Sequence, residues 1–433
     1  MRFIKINNHV RFLNRSSVLS IEMTNKPVFS CPIPELFSAF FFIVTLFVSP
    51  ATAAVKDVSI ESIGQIIVDD DGNRLNYPSS VFFDPVEEEI YVVNAGAGRV
   101  VVYGADFFPR NSIGTGRGII APRSGTVLNN GDVYICQIEN TKDSPNRISI
   151  LNGAFFIKRE IILDEIPEFQ GFSSTNIAVN TEGDMYLSGD TGYGVLVLDD
   201  QGKFLRHLQP KDKVGHLSFR RWEESGEKDN ESDVDYENIP EEFRPRKYNL
   251  GERTAASDGL WPVRINDIKI DSTGRLYLVS FETSKIYVYD YFENFIFSFG
   301  VKGGTPGKLS QPKSLAIDEA RGIIYVADYM RHTILAYNMF GEFLFEFGGR
   351  GWEPGSLNYP TELAVNNNGQ VIVSDLFNRR VQVLEVDYGD ILPFIKDKLS
   401  PISSPGHIQN VEPDVFALGR IGETLPSDSS KDN

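Results

Sequence analysis

The side chains best suited to chemistry in this chain recur at one place in a repeated pattern. Ser80, Ser124, Asn176, Asp267, Ser314 and Glu362 fall at equivalent positions when the repeats are aligned, and Ser79, Arg123, Thr175, Asn266, Lys313 and Thr361 stand one residue earlier. Carboxylates, amides, hydroxyls, a guanidinium and an ammonium gathered in two sets are the donors and acceptors of a polar binding site. The oxygens of Asp267, Asn176 and Glu362 would also suit a divalent cation, which takes carboxylate and amide oxygen ligands. A structural role competes with both: the same groups can hydrogen-bond neighbouring elements and bridge buried water.

The elements that position these residues are short and regularly spaced. Gln311–Asp318 (QPKSLAID) returns as Tyr359–Asn366 (YPTELAVN) at an offset of 48 residues, and Ile324–Asp328 as Val371–Asp375 at 47. Self-similarity at this period marks a repeat architecture. Six units follow. Their first strands are expected near Ser80–Asp84, Ser124–Leu128, Asn176–Asn180, Asp267–Asp271, Ser314–Asp318 and Glu362–Asn366. Apolar second and third strands follow in each unit, and Phe295–Phe299 and Phe343–Phe347 read as fourth strands. Four strands every 40 to 50 residues is the pattern of an all-β, six-bladed β-propeller with four-stranded antiparallel blades.

Ring closure has two candidates. Ile60–Gly64 resembles Leu344–Gly348 and could complete the sixth blade from the N-terminal side, whereas Ile391–Ile395 follows the sixth unit directly. Pro393 lacks a ladder N–H, which favours the N-terminal segment.

The span Phe345–Gly351, then Gly355–Pro360, Leu363–Val365, Gly369–Asp375 and Asn378–Val383, resembles an NHL repeat, and the preceding unit resembles it nearly as well. Units four to six carry the resemblance specifically; units one to three are degenerate. It implies a six-bladed propeller, whose inner strands line a channel. Arg123, Asn176, Asp267, Lys313 and Glu362 are then the expected binding residues of a polar funnel at its mouth. Gly348, Gly349 and Gly351 are expected where φ is positive. Asp328 and Asp375, ending second strands, are expected to accept hydrogen bonds from turn amides.

Fold does not give activity, and this family spans scaffolds, RNA-binding modules and a few lyases. Lyases of this type hold a metal with several channel histidines, yet His207, His216, His332 and His407 all miss inner-strand positions. Cys136 sits in a second strand and reads as core. The acids from Glu231 to Glu242 have EF-hand spacing, but Tyr236 stands where the turn needs Gly. No catalytic residue and no resident cofactor are therefore expected. The functional expectation is a binding scaffold for a protein, peptide or glycan. The alternative is a metal-dependent hydrolase, lactonase or lyase acting in the channel.

Residues 1–53 read as a signal peptide: basic residues, an apolar run Leu36–Val48, then Ser49–Ala53 ending A-x-A, with translation starting at Met1 or Met23. The 13-residue run is short for a stable membrane span. The expected location is extracytoplasmic, either periplasmic or secreted. The whole chain carries −17; removing five bases and two acids with the leader leaves 37 bases against 57 acids, a net of −20. Such a field opposes nucleic-acid binding. The propeller is expected over 54–399 with an acidic insertion at 210–260, followed by a polar tail at 400–433.

Overall fold

The computed structural model describes residues 58–138, 145–169, 172–189, 192–214 and 259–389. The proposed leader, Ile391–Ile395, His216, His407, most of the acidic insertion and the tail lie outside the described residues.

Short runs of Val, Ile, Tyr and Phe become strands because β-branched and aromatic side chains fit a pleated surface that is covered by a neighbour. Six four-stranded antiparallel sheets are present; in five of them the strands lie in sequential order within one repeat, and the sixth combines three strands of the last repeat with one from the N-terminal side. The inner strands are Pro78–Asp84, Pro122–Val127, Ser174–Val179, Asp267–Ile270, Pro312–Asp318 and Pro360–Val365. Proline opens four of them, where a missing N–H interrupts no ladder.

Position in the blade decides the burial pattern. Second strands such as Val133–Gln137 and Leu276–Ser280 are buried at every residue, and that of blade one at every residue but Glu89, because neighbouring blades cover both faces. The outermost strands alternate, as in Phe204–Leu208 and Phe295–Phe299, because they end the sheet towards solvent. Third and fourth strands are joined by one repeated device. Asn152, Asp199, Asp290 and Asn338 each accept two backbone N–H bonds from the turn that follows, so the side chain stands in for a strand partner.

The N-terminal segment closes the ring. Ser59–Ile66 pairs antiparallel with Arg380–Asp387 and becomes the fourth strand of the sixth blade, from Ser59 opposite Asp387 to Ile66 opposite Val381. Arg380 reinforces the seam. It bonds Asp375, the Gln65 side chain, and the carbonyls of Trp352, Glu353 and Ser356.

The core is divided into six apolar clusters, one at each seam between adjacent blades. Between blades four and five, for example, Tyr277, Val279, Ile324, Val326 and Leu335 are all buried together. Full burial of such a side chain contributes about 1.5–3 kcal/mol, so the ring is held by packing between sheets. Cys136, the one thiol among the described residues, is part of this core at the seam of blades two and three.

The turn residues act as their types dictate. Asp328 accepts from the N–H groups of Ser310, Gln311 and Arg331, and Asp375 from that of Asn358. Gly348 and Gly349 take φ of +93° and +125°, where side chains are disfavoured. Gly351 differs from expectation in lacking a positive φ; a Cβ there would instead lie 2.8 Å from Ser356 Cβ. At the base of the acidic insertion, Lys211–Asp212 pairs with Trp261–Pro262, and Asp212 binds Lys285 and Tyr287. The flanks of the insertion are thereby fastened to blade four.

Candidate functional site: a blind cavity at one mouth of the ring

Successive residues of an inner strand point to opposite faces, so two neighbouring polar positions in each repeat serve different purposes. Ser79, Arg123, Thr175, Asn266, Lys313 and Thr361, one from each blade, line a cavity of about 390 Å³ at one end of the channel. Asn176 and Glu362 form its floor. Tyr77 and Gln311, which directly precede inner strands, and Ala95, Tyr329 and Leu376, which directly follow second strands, complete the wall.

The second set lies beneath, and all six of its members are buried. All but Ser80 join a belt of hydrogen bonds that crosses from blade to blade. Ser124 donates to Asn176, Asn176 to Asp267, and Ser314 to Glu362. Asp267 also accepts from the backbone N–H groups of Ile268 and Leu315. Asn176 Nδ2 reaches Glu362 Oε2 at 3.4 Å, linking blades three and six across the ring. At this level the channel is filled by side chains, so the cavity is blind.

Of the residues expected at the mouth, Arg123, Asn176, Lys313 and Glu362 line the cavity. Asp267 does not. It is fully buried below, because its carboxylate is consumed by two backbone amides, Asn176 and Lys269. Asn266 lines the wall with its side chain already engaged, donating to the Lys313 carbonyl and accepting from Phe281 N–H.

Lys269 was missed by the sequence reading. Its Nζ lies 2.6 Å from Glu362 Oε1 and 3.2 Å from Asp267 Oδ1. A signal existed: two residues beyond each belt position stand Phe82, Thr126, Ala178, Ala316 and Ala364, and only in blade four is the residue charged. Burial, and then the adjacent Asp267 carboxylate, push the Glu362 pKa up to about 7, against the opposing pull of Lys269. The two carboxylates hold Lys269 protonated well beyond the ordinary lysine range.

Asp267, Asn176 and Glu362 do converge, as an oxygen-rich cation site would require, but the Lys269 ammonium lies between the two carboxylates. A separate triad of acids, Asp69, Asp70 and Asp71, brings its oxygens within 4.8 Å of one another. Arg99 spans all three, at 2.5, 3.5 and 2.7 Å. Neither described histidine that could have served a metal lies at the cavity. His207 is on the outer strand of blade three, and His332 is in a turn of blade five, accepting the Tyr359 N–H. Among the described residues, no helix is long and apolar enough to cross a membrane.

Comparisons with known proteins bear on the architecture. The model of the DUF5128 family, described as a 6-bladed beta-propeller, matches residues 258–348, which hold blades four and five. No curated protein matches the chain. A structural genomics protein of unknown function from Bacteroides thetaiotaomicron VPI-5482 is similar, with a TM-score of 0.51 and 11% identity over 76% of each chain. An auxiliary nutrient binding protein from Bacteroides ovatus ATCC 8483 is similar with a TM-score of 0.50 and 13% identity, over 76% of this chain and 77% of that one. At such identities the likeness concerns fold. Strand order, ring closure and these matches agree that the chain is an all-β propeller of six four-stranded antiparallel blades.

Proposed function

We propose that this chain is an exported, non-catalytic binding scaffold of NHL-repeat type, which takes part of a protein, peptide or glycan into the blind cavity at the mouth of its ring. One observation carries the reading: six blades each contribute a polar or charged residue to one concave site of about 390 Å³. That size is in the ordinary range for small-ligand sites, and a rigid scaffold holds its walls in place before the ligand arrives. The lining includes hydroxyl, amide, guanidinium and ammonium side chains, donors and acceptors of several kinds. The name of the Bacteroides ovatus protein, auxiliary nutrient binding, agrees with this reading, though its likeness bears on fold alone. The apolar run and A-x-A at 36–53 support export, and the net charge of −17 favours partners other than nucleic acid.

The alternative is a metal-dependent hydrolase, lactonase or lyase. Convergence of Asp267, Asn176 and Glu362 supports it, while the seat of Lys269 between the carboxylates favours binding without metal. Calorimetric titration with a panel of oligosaccharides and peptides tests the proposal. Saturable 1:1 binding that disappears in Thr175→Trp, a variant that fills the cavity, is the expected result. Turnover of a bound ligand, or a tightly held divalent ion lost on Asp267→Ala, would replace scaffold with enzyme.

A further inference from the structure

We propose that His332 is a pH-sensitive latch on the mouth cavity: as a neutral ring it fastens the entry of the sixth inner strand, and on taking up a proton it lets that entry go. The inference goes beyond the binding reading, since it concerns how the cavity wall is held and not what fills it.

The latch is one hydrogen bond. Tyr359 N–H donates to His332 Nδ1 at 2.9 Å, and the two rings meet edge to face with centroids 4.4 Å apart. Nδ1 accepts only while it carries no proton, because both ring nitrogens of an imidazolium are donors. The backbone on either side leaves little slack. Tyr359 holds φ at +62° directly before Pro360, a position that ordinarily takes an extended conformation. His332 is itself at φ +57°, and its carbonyl accepts the Gly349 N–H at 2.8 Å.

The same place in blade five is built differently. In the repeat, Ser310 and Gln311 stand where blade six has Asn358 and Tyr359. The amides of Ser310 and Gln311 both donate to the Asp328 carboxylate. In blade six the Asn358 amide donates to Asp375, the counterpart of Asp328, but the Tyr359 amide turns to His332. Carboxylates ordinarily stay acceptors between about pH 5 and 8, the range in which an imidazole changes from acceptor to donor.

The charges around the ring set the direction. Burial, and then Arg350 from the loop after the outer strand of blade five, hold the His332 pKa below its ordinary 6.5, while Asp375 and Asp328 oppose them. Arg331, its neighbour in the chain, is paired with Glu346 at 2.7 Å. His332 is therefore neutral and latched at pH 7. Its contribution is full above about pH 6.5 and is lost as pH falls below that value.

What the latch holds reaches the cavity. The Tyr359 ring packs on Tyr329 with centroids 4.7 Å apart, and Tyr329, Thr361 and Glu362 line the cavity. Freed of its acceptor, Tyr359 relaxes towards the extended backbone that precedes proline. That move takes support from Tyr329 and loosens the start of the strand bearing Thr361 and Glu362.

Amide hydrogen exchange of the full chain tests this, read from neutral to acid pH as protection relative to the intrinsic rate. Glu362 titrates in the same range, so the parent protein is Glu362→Gln. Tyr359 is expected to lose about tenfold in protection as pH falls, at the midpoint that NMR titration gives for the His332 ring. Gln311, bonded to Asp328, should hold its protection. His332→Asn offers an amide oxygen in place of Nδ1, tolerates positive φ and has no proton to gain, so it should keep Tyr359 protected throughout. His332→Leu should leave Tyr359 unprotected at every pH; circular dichroism checks that both variants fold, and the parent's own curve decides if either does not. Protection of Tyr359 that is indifferent to pH, or that falls equally in His332→Asn, overturns the latch. An equal loss at Gln311 does so too, since it would report general opening in acid.

Discussion

Lys269 Nζ lies 2.6 Å from Glu362 Oε1 and so ties the inner strand of blade four to that of blade six, past blade five. The same ammonium is 3.2 Å from Asp267 on its own strand. One cation thus serves two buried carboxylates at the level where the channel is blocked.

That arrangement makes stability depend on pH in a definite direction. The folded-state pKa of Glu362 is raised to about 7 from an ordinary 4.5, so the folded chain binds more protons than the unfolded one between those values. Stability then falls as pH rises from about 4.5 to about 7, by at most roughly 3 kcal/mol from this group. Urea midpoints of the wild type and of Glu362→Gln, measured across that window, should differ in slope, with the variant flatter. Parallel curves would contradict the assignment.

Lys269→Met leaves Asp267 and Glu362 buried together without their cation. Breaking a buried pair in this way costs about 3–5 kcal/mol. The loss should be largest at pH 8 and partly recovered at pH 5, where Glu362 takes up a proton and the carboxylates no longer repel. An equal loss at both pH values would show that the ammonium acts by packing alone.

Deleting residues through Ile66 removes the outer strand of blade six. Arg380–Asp387 would become an unprotected edge of eight residues, a template for pairing with another chain. Light scattering after size exclusion should show oligomers, together with a lowered melting temperature. A monomeric, equally stable product would mean that another segment closes the ring.

Cys136 should be inert in the folded chain. Its side chain is fully buried against Ser174, and burial pushes its pKa up to about 12, so the reactive thiolate is scarce at neutral pH. An aromatic disulfide reagent at pH 8 is expected to label it only in denaturant. Rapid labelling of native protein would place the thiol at an accessible surface.

The sequence by itself determined the architecture. The 47–48-residue self-match, alternating or continuous apolar runs and Asx or Gly turns specify strand identity locally, since each depends on a few adjacent residues and on the two-residue period of a strand. Those same features placed Arg123 and Lys313 in one set of aligned positions and Asn176 and Glu362 in the next, and all four line the cavity. The closing segment was also legible, as Ile60–Gly64 carries the pattern of a fourth strand.

Tertiary structure decided what each polar residue does. Neighbouring positions in an inner strand part company, Lys313 to the open wall and Ser314 to a buried bond with Glu362, and this depends on which blade lies opposite. Asp267 left the mouth because amides from its own and the next blade, Asn176 from the one before, and Lys269 within its own strand all claim its carboxylate. Lys269 meets Glu362 from 93 positions away, and ring contacts join Tyr77 to Phe377, Phe377 to Tyr359 and Tyr359 to Tyr329. Contacts of that kind arise only when the ring closes, because partners distant in the chain acquire a fixed separation from the packing of six sheets and from nothing local to either residue.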